Sequence, residues 1–166
     1  MAKQALLQVN GLTVSFKTST VVDGIDFQVL AGETFALVGE SGSGKSITAL
    51  SVLRLLPAAA SMRAQSITLQ KQDLLTIPEI EFCKLRGRRI GFIFQDPMSS
   101  LNPVMTIGQQ VAEVLQIHFQ LDQEGIKQRV LELLAQVEIP DPQRRINEYP
   151  HQLSGGQRQR VMIAMA

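Results

Sequence analysis

Cysteine is almost absent from this chain. The 166 residues hold one, Cys83, which excludes a disulfide framework and suits a reducing compartment. Its neighbour Phe82 favours a buried or half-buried thiol over a nucleophile. Long apolar runs are also missing. None reaches the roughly 18 residues that a membrane-spanning helix needs, and the opening stretch MAKQALLQVNGLTV has no apolar core of signal-peptide length. The expectation is a soluble protein that can dock on a membrane protein. An excess of one charge is lacking too. Sixteen basic residues against fifteen acidic leave +1, so nothing argues for nucleic-acid binding. Basic residues cluster only locally, at positions 84–89, read as a solvated face, and at positions 157–160. No repeat and no low-complexity tract is present. The length allows one domain with a core of ordinary size.

What is there begins with strands. ALLQVNGLTVSF alternates and carries a turn signal at Asn10-Gly11. GIDFQVLAGE repeats the pattern, with a turn at Ala31-Gly32. TFALVG, Thr34 to Gly39, is a short apolar run before a glycine and reads as a buried strand. KSITALSVLRLL reads as a helix stopped by Pro57. SITLQ and RIGFIF read as further strands, and IPEIEFCKLR as a short helix entered through Pro78. The remainder is helical. TIGQQVAEVLQIHF opens on a capping box of Thr106 and Gln109. DQEGIKQRVLELLAQV opens on Asp122 as N-cap. A proline-punctuated connector then leads to a last helix.

GESGSGKS, Gly39 to Ser46, fits the spacing G-x-x-x-x-G-K-[ST] between a strand and a helix. The chemistry follows from the residue types. Gly39, Gly42 and Gly44 permit positive φ and remove Cβ atoms that would block a phosphate. With Glu40, Ser41 and Ser43 they form a loop whose N–H groups can nest an anion at a helix N-terminus. Lys45 brings a full charge to the β/γ-phosphates, and the Ser46 hydroxyl can ligate Mg²⁺. The loop thus predicts ATP or a similar nucleoside triphosphate. It leaves kinases, GTPases and motor ATPases open.

LSGGQ, Leu153 to Gln157, narrows the choice. Ser154 and Gln157 are spaced for a capping box. That leaves Gly155 and Gly156 unexplained, since each costs a helix about 1 kcal/mol relative to alanine. A backbone surface offered closely to a second anion would justify them.

GESGSGKS and LSGGQRQR together resemble the ATP-binding subunit of an ABC transporter. IFQDPMSSLNP and YPHQLSGGQRQRVMIAMA are similar to the bacterial dipeptide/oligopeptide importer group. The resemblance covers essentially the whole chain. It implies an α/β P-loop NTPase fold of the ABC type, with residues 1–94 as a β-rich part and P-loop core. Residues 95–152 would hold the glutamine loop and helical subdomain, and residues 153–166 the signature motif and the start of its helix. It implies that Leu153, Ser154, Gly155, Gly156 and Gln157 face an ATP held by the loop of a second ATP-binding subunit. Gln95 would sense Mg²⁺ and the attacking water, and Phe16 stands where the family places an adenine-stacking aromatic. A core residue at a strand end fits Phe16 equally well. Asp96 to Pro103 would meet membrane permease subunits, with Asp96 to Asn102 on the surface, at the cytoplasmic face of the inner membrane.

Two departures stand out. Lys71 replaces the glycine on which the family turns its hairpin, and Gln65 lacks a preceding glycine, which implies local distortion. No apolar run ending in Asp-Glu and no switch-loop histidine occurs between Met1 and Ala166. The chain therefore corresponds to a family member cut before the Asp-Glu strand, and the enzyme question stays open. A P-loop kinase, a non-transport ABC ATPase and a nucleotide-binding pseudo-subunit are the alternatives.

Overall fold

The computed structural model describes residues 4–96 and 100–166. Backbone contacts divide the chain into two compact units, Met1–Cys83 and Lys84–Ala166.

The first unit is built on an antiparallel sheet. β1 (Ala5–Phe16) pairs along its length with β2 (Ser19–Leu30). On its other edge the second half of β1 pairs with β3 (Ala60–Arg63) and the first half with β4 (Ser66–Leu69), beyond which lies β5 (Gln72–Asp73). Val9, Leu12 and Val14 of β1 are buried with Val22, Ile67, Leu69 and Leu74. Each such side chain contributes about 1.5–3 kcal/mol by leaving water.

Val9 and Leu12 are three apart, so strict alternation would place them on opposite faces. A bulge resolves this. Val9 pairs with Phe27 and Leu12 with Ile25, which leaves one extra residue on β1. Gly11 takes it up at φ +61°, and its N–H donates to Asp26 Oδ1. The expected turn at Asn10-Gly11 is thus a bulge inside one strand. A Cβ on Gly11 would also sit 2.8 Å from Gln65 Cγ, so the glycine makes room for that side chain.

The β4–β5 hairpin closes regularly despite Lys71. Leu69 pairs with Gln72, and Gln70 and Lys71 between them have φ of 49° and 72°, as a two-residue type I′ turn requires. A side chain in this region is unfavourable. Lys71→Gly is expected to stabilise the fold by about 0.5–1 kcal/mol, read as a higher urea midpoint at unchanged slope.

Two expected strands are not formed. Residues 34–39 lie in no ladder, and within residues 89–94 only an isolated bridge joins Ile90 to Arg86. Val38 is 85% exposed, and Phe35, Leu37, Ile93 and Phe94 are also exposed. A buried parallel strand is defined by neighbours on both sides, and among the described residues neither stretch has them. Phe35 instead stacks on Phe27 with ring centroids 5.3 Å apart.

Helix α1 (Lys45–Val52) stops well before Pro57, because Arg54 turns into the left-handed region at φ 52°. The Arg54 guanidinium donates to the carbonyls of Leu74 and Ile77 and lies over the Phe82 ring, 4.6 Å from its centroid. α2 (Glu79–Leu85) follows Pro78 as expected. Cys83 is exposed, not buried. The helical step of about 100° per residue turns it away while Phe82 points inward.

The second unit is helical, with α3 (Ile107–His118), α4 (Gln123–Gln136), the short α5 (Pro142–Arg145), a 3-10 turn (Pro150–Gln152) and α6 (Gly155–Met165). Ile107, Val111 and Leu115 of α3 share one core with Ile126, Val130 and Leu134 of α4 and with Val161 and Met162 of α6. The caps stand where the residue types place them. Thr106 and Gln109 form a capping box, and Asp122 accepts the Gly125 N–H at 2.9 Å. Among the described residues no helix is long and apolar enough to cross a membrane.

Candidate functional site

The glycine loop runs from residue 39 into α1. Gly44 is the N-cap, at φ 89°, and is buried. A Cβ there would lie 2.9 Å from the Val21 carbonyl oxygen and 3.0 Å from Val22 Cγ2. Glycine is therefore required twice, by the dihedral and by the approach of β2. It also leaves α1 without a side-chain cap, whereas Thr106, Asp122 and Ser154 cap the starts of α3, α4 and α6. The first N–H groups of a helix need partners from outside it. At α1 the N-cap supplies no side chain for this, so among the described residues the positive end of the helix stays open to an anion.

Lys45 folds back over the loop. Its Nζ donates to the carbonyls of Gly39 (2.7 Å) and Glu40 (2.6 Å) and to Ser43 Oγ (3.3 Å). All three acceptors are neutral oxygens, so these contacts leave the charge of the ammonium in place. Gly42 has φ 83°, and a Cβ on Gly39 would come within 2.6 Å of Ser43 Oγ. Ser41 and Ser46 are exposed. Phe16 is half-buried at the end of β1, paired with Ser19 and Ala60.

The second glycine-bearing surface lies at the start of α6. Ser154 Oγ accepts the Gln157 N–H at 3.3 Å, and Gln157 Oε1 accepts the Ser154 N–H at 3.0 Å. Leu153 is buried in the helical core and anchors the motif from behind. Ser154, Gly155 and Gly156 are exposed. Among the described residues a Cβ built on either glycine meets nothing within 4 Å, so their packing does not require glycine there. Arg158 Nε donates to the Pro150 carbonyl at 2.6 Å, and Arg160 donates to the carbonyls of Val137 and Glu138. These bonds hold the start of α6.

Gln95 sits exposed at a bend, and Asp96 is exposed beside it. Pro97, Met98 and Ser99, in the expected docking stretch, lie outside the described residues. Leu101 corrects the expectation of a wholly surface segment, because it is 4% exposed and belongs to the helical core. Asn102 and Pro103 are exposed. Sequence patterning passes over Gln110. It stands three residues after Ile107 and next to Val111, on the buried face of α3, and is itself buried. A polar residue on an apolar stripe is the signal that could have found it.

Among the described residues no group of three or more His, Cys, Asp or Glu could hold a metal. The oxygen donors in question are the Ser46 hydroxyl and the Gln95 amide. The Ser46 hydroxyl, exposed in the first turn of α1, is a hard oxygen donor of the kind Mg²⁺ accepts beside phosphate and water.

The family model described as ABC transporter matches residues 22–166. The peptidoglycan transport ATP-binding protein YejF of Agrobacterium fabrum is 52% identical over 98% of the chain, which spans 31% of that relative. A putative peptide import ATP-binding protein of Brucella abortus is 48% identical over 97% of the chain, and the chain spans 50% of it. The oligopeptide transport ATP-binding protein OppD of Bacillus subtilis is 46% identical over 97%, with 46% of it spanned. The chain thus spans half or less of the length of these relatives. Among solved structures, a dimeric bacterial ABC transporter cassette matches with a TM-score of 0.81 at 27% identity, over 96% of this chain and 68% of that one. A dimeric post-hydrolysis cassette bound to ADP and Pi matches with a TM-score of 0.78 at 25% identity, over the same shares.

Proposed function

Because this chain belongs to the ABC transporter family, we propose that it supplies the nucleotide-binding surfaces of a motor subunit that couples ATP to import of peptides or a similar small solute. The observation that carries this is the pairing of two glycine-bearing helix starts. α1 has no side-chain cap and opens on Lys45, and α6 opens on two exposed glycines that its own packing does not require. The names of the relatives support peptide import.

In this reading Gly39, Glu40, Ser41, Gly42, Ser43, Gly44 and Lys45 hold the phosphates of ATP, and Phe16 stacks on the base. Ser46 and Gln95 take Mg²⁺, which neutralises phosphate charge as the terminal phosphoryl group leaves. Lys45 exchanges two carbonyl contacts for phosphate oxygens. Leu153 to Gln157 close over the ATP of a second ATP-binding subunit, an arrangement supported by the dimeric neighbours. Residues 1–94, 95–152 and 153–166 then serve as nucleotide core, helical subdomain and signature segment. Gln95 also senses the water that attacks the terminal phosphate.

The membrane partner docks peripherally at the cytoplasmic face, on the segment from Asp96 to Pro103 and its continuation. Val104 is 78% exposed. With Met105, Gln109, Ala112, Glu113 and Gln116 it lines a groove of about 400 Å³. A cysteine at Val104 in the full-length subunit is expected to cross-link to a membrane subunit of the assembled transporter. No adduct there, with Pro103 and Gln116 also silent, would remove this docking surface.

A further inference from the structure

We infer that Gln110 is a positioning residue that locks residues 102–105, which carry the exposed Val104, to the start of α3 and, through it, to the signature segment. This rests on the docking surface proposed above. The Gln110 side chain is 3% exposed, and its whole amide is engaged. Nε2 donates to the carbonyls of Asn102 and Met105, each at 3.0 Å, and Oε1 accepts the Asn102 N–H at 2.9 Å. One side chain thus grips both the donor and the acceptor of Asn102. Asn102 Oδ1 in turn accepts the Val104 N–H at 3.1 Å, and Leu101 is sunk in the core. Val104 is therefore carried on a braced turn. Moving that turn relative to α3 would strand a buried amide, which is strongly disfavoured.

The other end of the link is equally direct. The N–H groups of Ile107 and Gly108 donate to the carbonyls of Glu148 (2.9 Å) and Ile146 (3.0 Å). Gly108 allows this approach, since a Cβ there would fall 2.5 Å from the Ile146 carbonyl oxygen. The chain from Glu148 leads through the 3-10 turn into Ser154. α3 and α6 also share one core. A close-packed core of this kind passes a displacement on rather than absorbing it. Load on Val104 is carried by Gln110 to α3, and by α3 to the serine and glycines that meet ATP.

The test uses the full-length subunit assembled with its membrane partners. Gln110→Met keeps the length of the side chain and removes its hydrogen bonds. Its affinity for a labelled ATP analogue is expected to stay within about twofold, while stimulation of ATP hydrolysis by transported solute falls about fivefold or more, the range of typical coupling energies. Full stimulation in folded Gln110→Met overturns the inference. So does a fall in nucleotide affinity that tracks loss of folded protein. Hydrogen exchange on the unaltered subunit gives a second readout that needs no variant. The Asn102 amide is expected to be protected together with α3, and free exchange at Asn102 beside a protected α3 also overturns it. If the parent protein shows neither cross-linking at Val104 nor stimulation, the docking reading fails and this inference falls with it. If the parent shows both and Gln110→Met retains both, only the role of Gln110 fails.

Discussion

Lys45→Ala is expected to weaken ATP binding about ten- to a hundredfold, because charge-assisted contacts are worth roughly 1.5–3 kcal/mol and each 1.4 kcal/mol is tenfold. The lysine is suited to this loss. Its ammonium rests on three neutral oxygens of the loop, which a phosphate can replace. It stands at the first turn of a helix whose N-cap offers no side chain. A phosphate entering the loop then meets the ammonium and the helix dipole together. Lys45→Gln separates charge from shape, since an amide can still donate to the Gly39 and Glu40 carbonyls. It is expected to lose nearly as much affinity as the alanine variant. Titration of a labelled ATP analogue into all three forms, with thermal melts as control, checks this. Equal affinity in parent and alanine variant, both folded, would sink the phosphate-loop assignment. Recovery in Lys45→Gln alone would show that the lysine shapes the loop and does not hold phosphate.

How much of this was legible in the sequence depends on how local each feature is. The capping boxes at Thr106 and Ser154 and the cap at Asp122 each involve residues within one turn, so their spacing reveals them. The glycine loop is legible for the same reason. Strands are different. Residues 34–39 and 89–94 have strand composition, yet neither stretch lies in a ladder, because a strand exists only with a partner. At Asn10-Gly11 the local chemistry fits a turn and a bulge alike. Both use positive φ at glycine, and pairing with β2 and β4 decides between them. Leu101 and Gln110 are misjudged by polarity alone. The first is an apolar residue in a polar segment, and the second a polar one whose partners come from that segment. Lys71 shows that a missing glycine can be tolerated, because Gln70 and Lys71 at φ 49° and 72° strain a hairpin without undoing it.

The signature glycines give the second large effect, and it runs opposite to stability. Gly155→Ala with Gly156→Ala is expected to leave the fold intact or raise its melting temperature, since alanine favours a helix by up to about 1 kcal/mol per glycine replaced. Among the described residues no clash opposes this, because a Cβ at either position meets nothing within 4 Å, and neither glycine has positive φ. The cap is kept as well, since Ser154 and Gln157 bond each other without either glycine's help. If the exposed backbone of this turn meets the phosphate of an ATP on a second subunit, two methyl groups stand between donor and acceptor. Losing one such preorganised donor typically costs about a hundred- to a thousandfold in rate. ATP-dependent association of the full-length subunit and hydrolysis by the assembled transporter are therefore expected to fall by about two orders of magnitude, while ATP binding to the isolated subunit, carried by Lys45, is unchanged. Melting temperature, nucleotide affinity and hydrolysis measured on one preparation separate these effects. Normal hydrolysis in the double variant would mean that Gly155 and Gly156 approach nothing, and that the second nucleotide surface lies elsewhere on the chain.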